Sequence, residues 1–409
     1  MSKYIHDIII IGGGASGLFA AAVCPSKVKG LILNKAGRPG LKLLMSGAGQ
    51  CNLTHGGDIK DFITHYGQNG GRIRTSLFKY SNQDVVRFFN AEGVPVFERE
   101  DGKVFPKSLK AEDVLNCLLK KAEENGFEVK SGCSVTEISK IEDETFEIKT
   151  EKQTYYSRRV ICCTGGCSYP STGSDGSIFS ALEKLGLTVV EPRPGLVPVS
   201  VEGYPYGDLS GASVSNVKVQ TAGQVVYGDV LFTHRNLSGP GILHISRYVK
   251  PGSEISLCYC TEMTKDQAAG LIKKSRNDKT SSRKEALTVI KGIFPSLPSA
   301  FVHKIWADEG LDGHLKLAEW PARAAASVLD RIFNDTWTVS GTSGYKAAMV
   351  TAGGVSLKEI STKTFESKKI PGFYMAGEML DVDGDTGGYN LQFAFSSAYA
   401  AVNAAVSSL

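Results

Sequence analysis

Short apolar runs and alternating segments divide the 409-residue chain into candidate strands and helices. The apolar runs at 5–11 and 28–34 predict two buried strands, and the segment 15–23 between them predicts a helix. Because a strand, a glycine turn, a helix and a second strand follow one another within about 30 residues, the start of the chain predicts a βαβ unit with parallel strands.

Similar patterns predict further elements on both sides of the middle of the chain. They predict helices near 82–92, 111–125 and 391–406, and strands within 127–141, 144–150, 158–166 and 368–380. The stretch 36–57, by contrast, is so rich in glycine that it predicts no regular element.

The pattern changes at the proline-rich segment 191–199, which predicts a domain crossing. After it, residues 199–262 alternate as short strands, and residues 264–335 switch to helical periodicity. We therefore predict an α/β fold whose first domain is discontinuous and consists of residues 1–192 and 346–409. Between these two parts we predict a β-rich domain at 193–263, a helical domain at 264–317 and a return through the β-rich domain at 318–345.

Two capping boxes predict where helices of the helical segment begin. Thr264 with Gln267, and Ser282 with Glu285, have the spacing at which two side chains satisfy the first N–H groups of a helix. The basic run at 273–284 is expected to be a solvated connection between helices rather than a nucleic-acid contact.

Composition excludes several classes of protein. Apolar residues make up 42% of the chain and charged residues 22%, which is typical of a globular protein. The 45 glycines follow no G-X-Y period, so collagen and low-complexity disorder are excluded. A formal charge of +4 is too small to require a polyanionic partner.

Cysteine usage and hydropathy predict the compartment. The nine cysteines are odd in number and lack paired C-x-x-C spacing, so we expect reduced thiols, with neither a disulfide framework nor a structural metal. Since no apolar run reaches about 18 residues, we predict a soluble, cytoplasmic protein without a membrane span.

A glycine motif follows the first strand. Gly12, Gly14 and Gly17 form G-x-G-x-x-G, with Ala15 and Ser16 opening the helix, so backbone N–H groups and the helix dipole would face a pyrophosphate. An acidic residue is expected at the end of the second strand to contact a ribose, but the sequence has Asn34 followed by Lys35 there. The amide oxygen of Asn34 can still accept one hydrogen bond.

Two later glycine clusters, at 163–166 and 376–378, favour FAD over NAD as the dinucleotide. In flavoproteins with two dinucleotide-binding motifs, such strand ends return the chain to the cofactor, so Glu378 is expected to contact the ribityl chain. The helix start after Gly388 is expected to donate N–H groups to the flavin pyrimidine. Since no second G-x-G-x-x-G follows, NAD(P)H would act only as a transient reductant that visits the flavin directly.

The motif blocks resemble those of a known family. In order, they are DIIIIGGGASGLFAA (7–21), GLKLLMSGAGQCNLT (40–54), GKVFPKS (102–108), TGGCSYPSTGSDG (164–176), LFTHRNLSGPGIL (231–243), VTAGGVSLKEI (350–360) and YMAGEMLDVDGDTGGYNLQFAFSSAYAA (374–401). Together they resemble the bacterial FAD-binding oxidoreductases of the aminoacetone oxidase type, which are related to flavoproteins of bile-acid metabolism. The resemblance implies a Rossmann-like two-dinucleotide-binding FAD domain, interrupted by a β-rich domain and a helical domain. The family usually has an acid at Asn34 and often Arg at Gln50.

The glycine motif, the strand ends and the resemblance together imply a set of cofactor-binding residues. They are Gly12, Gly14, Ala15, Ser16, Gly17, Asn34, Lys35, Lys42, Ser46, Cys51, Asn52, Val135, Thr164, Gly165, Gly166, Gly377, Glu378, Asp385, Gly388, Tyr389, Asn390 and Leu391.

Two residues are candidates for catalysis. Lys42 would stabilise negative charge on a reduced flavin, the alternative being a solvated loop lysine. His234 would carry a proton, the alternative being an ordinary surface or core histidine. Cys51 is expected to pack or touch the flavin, because no second thiol of its loop can complete a redox disulfide. The acidic run 381–385 is expected to contact FAD rather than calcium, because its glycine falls at the wrong position.

These observations predict an FAD-dependent oxidoreductase that transfers hydride between a small metabolite and flavin N5. Lack of a nicotinamide domain favours an amine oxidase that uses O₂. The alternatives are an NAD(P)H-dependent reductase of an unsaturated substrate, an RNA-associated flavoprotein, and a flavin redox sensor without turnover.

Overall fold

Two units make up the chain in the computed structural model, which describes residues 4–141 and 144–409. The first unit combines Met1–Pro194 with Met349–Leu409, and the second is the continuous segment Gly195–Ala348.

The elements up to the first crossing between the units alternate strands and helices. They are β1 (Ile5–Ile11), α1 (Ala15–Ala22), β2 (Gly30–Asn34), α2 (Leu41–Met45), β3 (Thr54–His55), α3 (Ile59–Phe62), α4 (Gly70–Lys79), α5 (Asn82–Ala91), β4 (Val96–Glu98), β5 (Lys103–Pro106), α6 (Ala111–Glu124), β6 (Phe127–Ser131), β7 (Val135–Lys140), β8 (Phe146–Thr150), β9 (Thr154–Cys162), α7 (Phe179–Lys184) and β10 (Val189–Gly195).

The second unit contains six strands and five helices among its described elements, and the chain then returns to the first unit. The elements of the second unit are β11 (Val199–Val201), β12 (Ser213–Thr221), β13 (Gln224–Phe232), β14 (Leu237–Ser238), α8 (Pro240–Ile245), β15 (Glu254–Cys258), α9 (Lys265–Asn277), α10 (Ala286–Ile293), α11 (Ser299–Asp308), α12 (Ala322–Phe333) and β16 (Asp335–Thr342). The last three elements are β17 (Val350–Val355), β18 (Phe373–Met375) and α13 (Tyr389–Ser407).

A seven-stranded sheet organises the first unit, with the order β6-β2-β1-β9-β8-β7 and with β18 also paired to β9. The strands β6, β2, β1, β9 and β18 run parallel, whereas β8 and β7 pair antiparallel. β8 pairs with the first half of β9 and β18 with its second half. This parallel core, with its crossover helices, confirms the predicted α/β class.

Helix α1 is buried because its sequence is almost entirely small or apolar. Only Ala15 of the helix is partly exposed, and α1 packs against both α6 and α13. Phe19 of α1 is surrounded by aromatic rings, the nearest being Phe395 of α13 with ring centroids 4.4 Å apart. The final helix therefore closes the core around the first βαβ unit.

The second unit is a closed barrel of β11, β14, β13, β12, β15 and β16, with helices packed against the same core. This confirms the β-rich module predicted for 199–262, to which β16 adds a strand from beyond the helices. Asp335, at the start of β16, is 2% exposed and accepts hydrogen bonds from the hydroxyls of Tyr206 and Tyr259. The guanidinium of Arg331 lies 3.0 Å from its other oxygen.

Two local predictions are wrong. The glycine-rich stretch 36–57 contains the short helix α2, which begins after Gly40, and a tight turn at Ser46–Gly49 in which Gly47 and Ala48 are left-handed. The second capping box also fails, because α10 begins only at Ala286 and Glu285 is its N-cap residue. Glu285 pairs with Lys316 in an antiparallel bridge, so the chain at 284–286 is held extended and Ser282 remains in a separate turn.

The other capping box is confirmed at the start of α9, where the Thr264 hydroxyl accepts from the Gln267 N–H and the Gln267 side chain accepts from the Thr264 N–H. We expect Thr264→Ala to lower the free energy of unfolding by about 1 kcal/mol, because the Gln267 N–H loses its hydroxyl acceptor. Ser282→Ala is the matched control and should change it by less than about 0.5 kcal/mol. Equal losses in urea titrations of the two variants would contradict this assignment.

Within the described ranges, none of the helices combines the length and apolar character needed to cross a bilayer.

Candidate functional site

The predicted cofactor residues meet at one edge of the parallel sheet. In the register of the sheet, Ile11 of β1 pairs with Leu33 of β2 and with Cys162 of β9, and Cys162 pairs with Met375 of β18. The carboxyl ends of these four strands therefore lie side by side. The segments that follow them contain the glycine motif, Asn34, the 163–166 cluster and the 376–378 cluster.

The three motif glycines have different steric surroundings. Gly12 has a φ of +106°, and a Cβ on it would lie 2.4 Å from the carbonyl oxygen of Cys163. A Cβ on Gly17 would lie 1.9 Å from the carbonyl oxygen of Gly12, so α1 packs directly on the turn. A Cβ on Gly14 would meet no described atom within 4 Å. The turn thus leaves open space beside Gly14, at the N-terminus of α1, which fits a pyrophosphate.

The end of β2 carries a buried amide in place of an acid. Asn34 Oδ1 accepts a hydrogen bond from the Gly13 N–H at 3.3 Å, and Nδ2 donates to the Ala36 carbonyl at 2.7 Å. The side chain therefore holds the glycine turn, and Oδ1 retains one lone pair for a ribose. The neighbouring Lys35 pairs with Asp175 at 2.6 Å.

Val135 begins β7 and is only partly buried. The Cys133 N–H, just before it, donates to the Asn34 carbonyl at 2.9 Å. The chain leading to Val135 therefore passes the end of β2.

Glu378 and Lys42 form the centre of a polar cluster built from four segments. Lys42 Nζ lies 2.6 Å from Glu378 Oε2. The other oxygen, Oε1, accepts from the Ser168 hydroxyl at 2.6 Å and from the Thr351 N–H at 3.0 Å. Both charged side chains are mostly buried, with 25% and 19% exposed. Lys42 is therefore not a solvated loop lysine, and its charge is compensated within the protein.

Sequence reasoning did not single out Ser168 or Thr351. The Thr351 hydroxyl accepts from the N–H groups of Cys167 and Ser168 at 2.7 and 3.1 Å, so it fixes the turn that presents the Ser168 hydroxyl to Glu378. Both residues lie in the TGGCSYPSTG and VTAGGV blocks, which were the signals available for finding them.

A second polar cluster lies where the loop 381–388 enters α13. His65 Nδ1 lies 3.0 Å from Asp385 Oδ2, and the Asp385 N–H donates to the His65 carbonyl at 2.9 Å. The His65 ring stacks on Tyr389 with centroids 4.0 Å apart, and the Tyr389 carbonyl accepts from the Tyr66 hydroxyl at 2.7 Å. Burial raises the pKa of Tyr389 to about 12, so its phenol stays neutral. The imidazole is therefore held by a carboxylate on one edge and a neutral ring on one face.

The segment after α2 contributes residues of a different kind. The Ser46 hydroxyl donates to the Leu43 carbonyl at 2.6 Å and is engaged within the loop. Asn52 Oδ1 and Thr164 Oγ1 are buried polar atoms without a hydrogen-bond partner among the described residues. Buried polar atoms are normally paired, so these two oxygens fit contact with a bound polar group.

Three further predicted cofactor residues lie at the start of α13. The Asn390 side chain accepts from the Gly384 N–H at 2.8 Å and donates to the Gly384 carbonyl at 2.9 Å. Gly388 is the N-cap of α13 and Leu391 is partly buried in its first turn. His234 lies in the second unit, exposed between β13 and β14, and belongs to neither polar cluster.

The cysteines at the sheet edge are buried thiols, as predicted for Cys162 and Cys163. Burial raises the pKa of Cys51 and of Cys163 to about 12, so both stay protonated at neutral pH. We expect a thiol-reactive reagent at about pH 8 to modify the half-buried Cys167 and Cys258 first, and all nine thiols only after denaturation. Rapid modification of Cys51 in the native protein, measured by peptide mass, would contradict this expectation.

Comparisons with known proteins agree with this architecture. A family model described as "HI0933-like protein Rossmann domain" matches residues 6–404. The chain is 32% identical to a ribosomal RNA dihydrouridine synthase of Haemophilus influenzae, covering 98% of each chain. It is 30% identical to a 3-dehydro-bile acid delta(4,6)-reductase of Clostridium scindens, covering 98% of this chain and 99% of that one. Among solved structures, the crystal structure of 3-ketosteroid delta1-dehydrogenase from Sterolibacterium denitrificans is similar, with a TM-score of 0.52. The match covers 99% of this chain and 100% of that one. Because the two sequences are only 13% identical, this similarity shows the fold alone.

Proposed function

Because the chain belongs to the HI0933-like Rossmann family and is an FAD-dependent oxidoreductase, we propose that it reduces a carbon–carbon double bond conjugated to a carbonyl group. The observation that carries the proposal is the similarity, along nearly the full length, to two relatives whose names denote this reaction class. A dihydrouridine synthase adds two hydrogens across the ring double bond of uridine. A delta(4,6)-reductase of a 3-dehydro-bile acid removes double bonds conjugated to a ketone.

Such a reduction adds a hydride at one carbon and a proton at its neighbour. When bound and reduced by a hydride donor such as NADPH, FAD would supply the hydride, and the protein has to bind the dinucleotide and deliver the proton. The open space beside Gly14 and the unpartnered oxygens of Asn52 and Thr164 support dinucleotide binding at this edge of the sheet. Glu378, held by Lys42 and Ser168, is the carboxylate available to hydroxyl groups of the cofactor.

His65 is the proposed proton donor. Asp385 accepts at Nδ1, which orients the ring, so that Nε2 is left to deliver the proton. The His65 side chain is 34% exposed, so a ligand can reach it. Lys42, whose charge is matched by Glu378, is assigned to holding that carboxylate in place.

The experiment uses FAD-loaded protein reduced without oxygen and then mixed with a candidate oxidant. Return of the oxidised flavin absorbance upon mixing with a conjugated enone, or with an RNA that contains uridine, with formation of the saturated product, supports the proposal. Reoxidation by neither, together with rapid reduction of the oxidised enzyme by a primary amine and O₂ consumption, would favour the amine oxidase. A parallel reduction with NADPH tests the proposed reductant.

We expect His65→Gln and Asp385→Asn to slow reoxidation by the substrate by about 10²–10⁴-fold, since general acid catalysis contributes factors of this size. In His65→Gln, flavin content and the rate of flavin reduction should stay unchanged.

His314→Gln is the matched control, because His314 is 88% exposed and lies in the second unit. Unchanged reoxidation in His65→Gln, or an equivalent loss only in His234→Gln, would assign the proton to another donor.

A further inference from the structure

An open cleft of about 460 Å³ lies in the first unit, between α4 and the segment that follows β17. It is lined by Arg72, Leu357, Lys358, Ile360, Ser361, Thr362, Lys363 and Lys368. The cleft shares no residue with the glycine motif or with either polar cluster described above, so it is a separate candidate site.

All four charged residues that line the cleft are cations. Among the ion pairs of the described residues, none includes Arg72, Lys358 or Lys363, although the chain has almost as many acidic as basic residues. The cleft therefore has four positive charges in its lining, as many as the formal net charge of the whole protein, which is +4. The Asp381 carboxylate interacts electrostatically with Arg72, but it does not line the cleft. Like charges that lie close together create a local positive potential that attracts anions.

The two carboxylates of the same segment are engaged elsewhere. Glu359 is only 10% exposed at its side chain and lies 2.8 Å from Lys369 Nζ. The Glu366 carboxylate accepts from the Gly372 N–H at 2.8 Å. Neither lines the cleft, so the acidic groups closest in sequence leave its cations uncompensated.

The backbone beneath these cations is ordered. The N–H groups of Thr364 and Phe365 both donate to the Ser361 carbonyl, and the Ser361 N–H donates to the Glu366 carbonyl, so this segment forms a closed turn. Leu357 and Ile360 are buried and fix the base of the turn, and the Lys368 ammonium donates to the Lys358 carbonyl at 3.0 Å. The cations thus lie on a packed turn and on α4, and Ser361 and Thr362 also line the cleft.

We propose that this cleft binds the phosphate groups of a phosphorylated ligand, either a nucleotide or the backbone of a polynucleotide. Arginine and lysine bind phosphate through charge-assisted hydrogen bonds, and the two hydroxyls add neutral donors. No aromatic ring is among the lining residues, so recognition rests on phosphate rather than on stacking of a base. The inference does not depend on the proposed reduction, because binding is measured without turnover.

The test uses protein saturated with FAD, so that the glycine motif is occupied, and inorganic pyrophosphate as the probe in a calorimetric titration at low salt. We expect saturable binding that weakens as salt rises. The double variant Lys358→Gln/Lys363→Gln should lose about tenfold or more in affinity, because two charge-assisted contacts are removed. The control is Lys273→Gln/Lys274→Gln, which removes two exposed lysines of the basic run in the second unit and should bind like the wild type.

Two further titrations identify the source of the phosphate. Competition of NADPH with pyrophosphate supports a nucleotide ligand, and competition of a short uridine oligonucleotide supports a polynucleotide. Equal losses in both double variants would show that dispersed surface charge alone attracts the anion, and would overturn the proposal. Undetectable binding of all three probes at low salt would overturn it as well.

Discussion

Gly14→Val is expected to yield a folded protein that has lost its flavin. The apo fold has room for the new side chain, because a Cβ at Gly14 meets no described atom within 4 Å and the backbone there is extended, with a φ of −89° and a ψ of −168°. The same space faces the N-terminus of α1, where the pyrophosphate of a dinucleotide is expected. Crowding this contact should weaken FAD binding by about 1–3 kcal/mol or more, so the purified protein should be colourless. The ratio of flavin to protein after denaturation measures the loss, and the melting temperature of the apo protein reports the fold.

Two other glycines make this experiment decisive. Gly17→Val should unfold the first unit, because its Cβ would collide with the Gly12 carbonyl oxygen at 1.9 Å. Gly71→Val is the matched control, since Gly71 is exposed on α4 and a Cβ there meets no described atom within 4 Å. A Gly14→Val protein with the flavin content of the wild type would show that the dinucleotide does not occupy this turn.

Asp335→Ala is expected to destabilise the second unit by about 3–5 kcal/mol. Its carboxylate is 2% exposed and receives two tyrosine hydroxyls, and its loss leaves the Arg331 guanidinium without its nearest carboxylate, 3.0 Å away. Burial, followed by the nearby charge of Asp335, raises the pKa of Tyr206, so the phenol remains a neutral donor that needs an acceptor. Removing one partner from such a network leaves the other polar groups buried and unpaired, which costs more than the missing contact itself.

Urea unfolding of the FAD-loaded protein, followed by tryptophan fluorescence, measures the effect. Asp330→Ala is the matched control, because the Asp330 side chain is 57% exposed and its pair with Lys265 should contribute at most about 1 kcal/mol. If Asp335→Ala were no more destabilised than this control, the carboxylate would not organise the core of the barrel.

The sequence predicted the elements whose pattern is local. The runs at 5–11 and 28–34 became β1 and β2 almost to the residue, because a buried parallel strand reads as an unbroken apolar run. The glycine spacing located the turn between them. The capping box predicted at Ser282 and Glu285 was wrong, although the two residues have the right spacing. Glu285 pairs with Lys316, 31 positions later, and this long-range pairing decides where α10 begins.

The polar clusters could be predicted only in part. Lys42 and Glu378 were singled out separately, yet they are 336 residues apart, and only the register of the sheet brings them together. His65 carried no signal at all, since its role depends on Asp385 at a separation of 320 residues. The spacing of apolar and polar residues predicts which face of a helix or strand is buried and where the chain turns. It does not predict which distant side chains meet, because such pairs form only when the elements pack together.

One edge of β9 is shared by two strands, β8 along its first half and β18 along its second half. This arrangement has a consequence for synthesis on the ribosome. The second half of β9 pairs with β18, and roughly 200 residues must be translated between the two strands. Translation proceeds at about 5–20 residues per second, so β18 is synthesised roughly 10–40 s after β9. During this time the backbone hydrogen-bonding groups that later pair with β18 are exposed at the edge of β9. The second unit, which is continuous in sequence, can fold during that interval, whereas the unit that begins with the N-terminus is the last to be completed. Nascent chains stalled before β18 should therefore be the form most prone to aggregation and most dependent on chaperones.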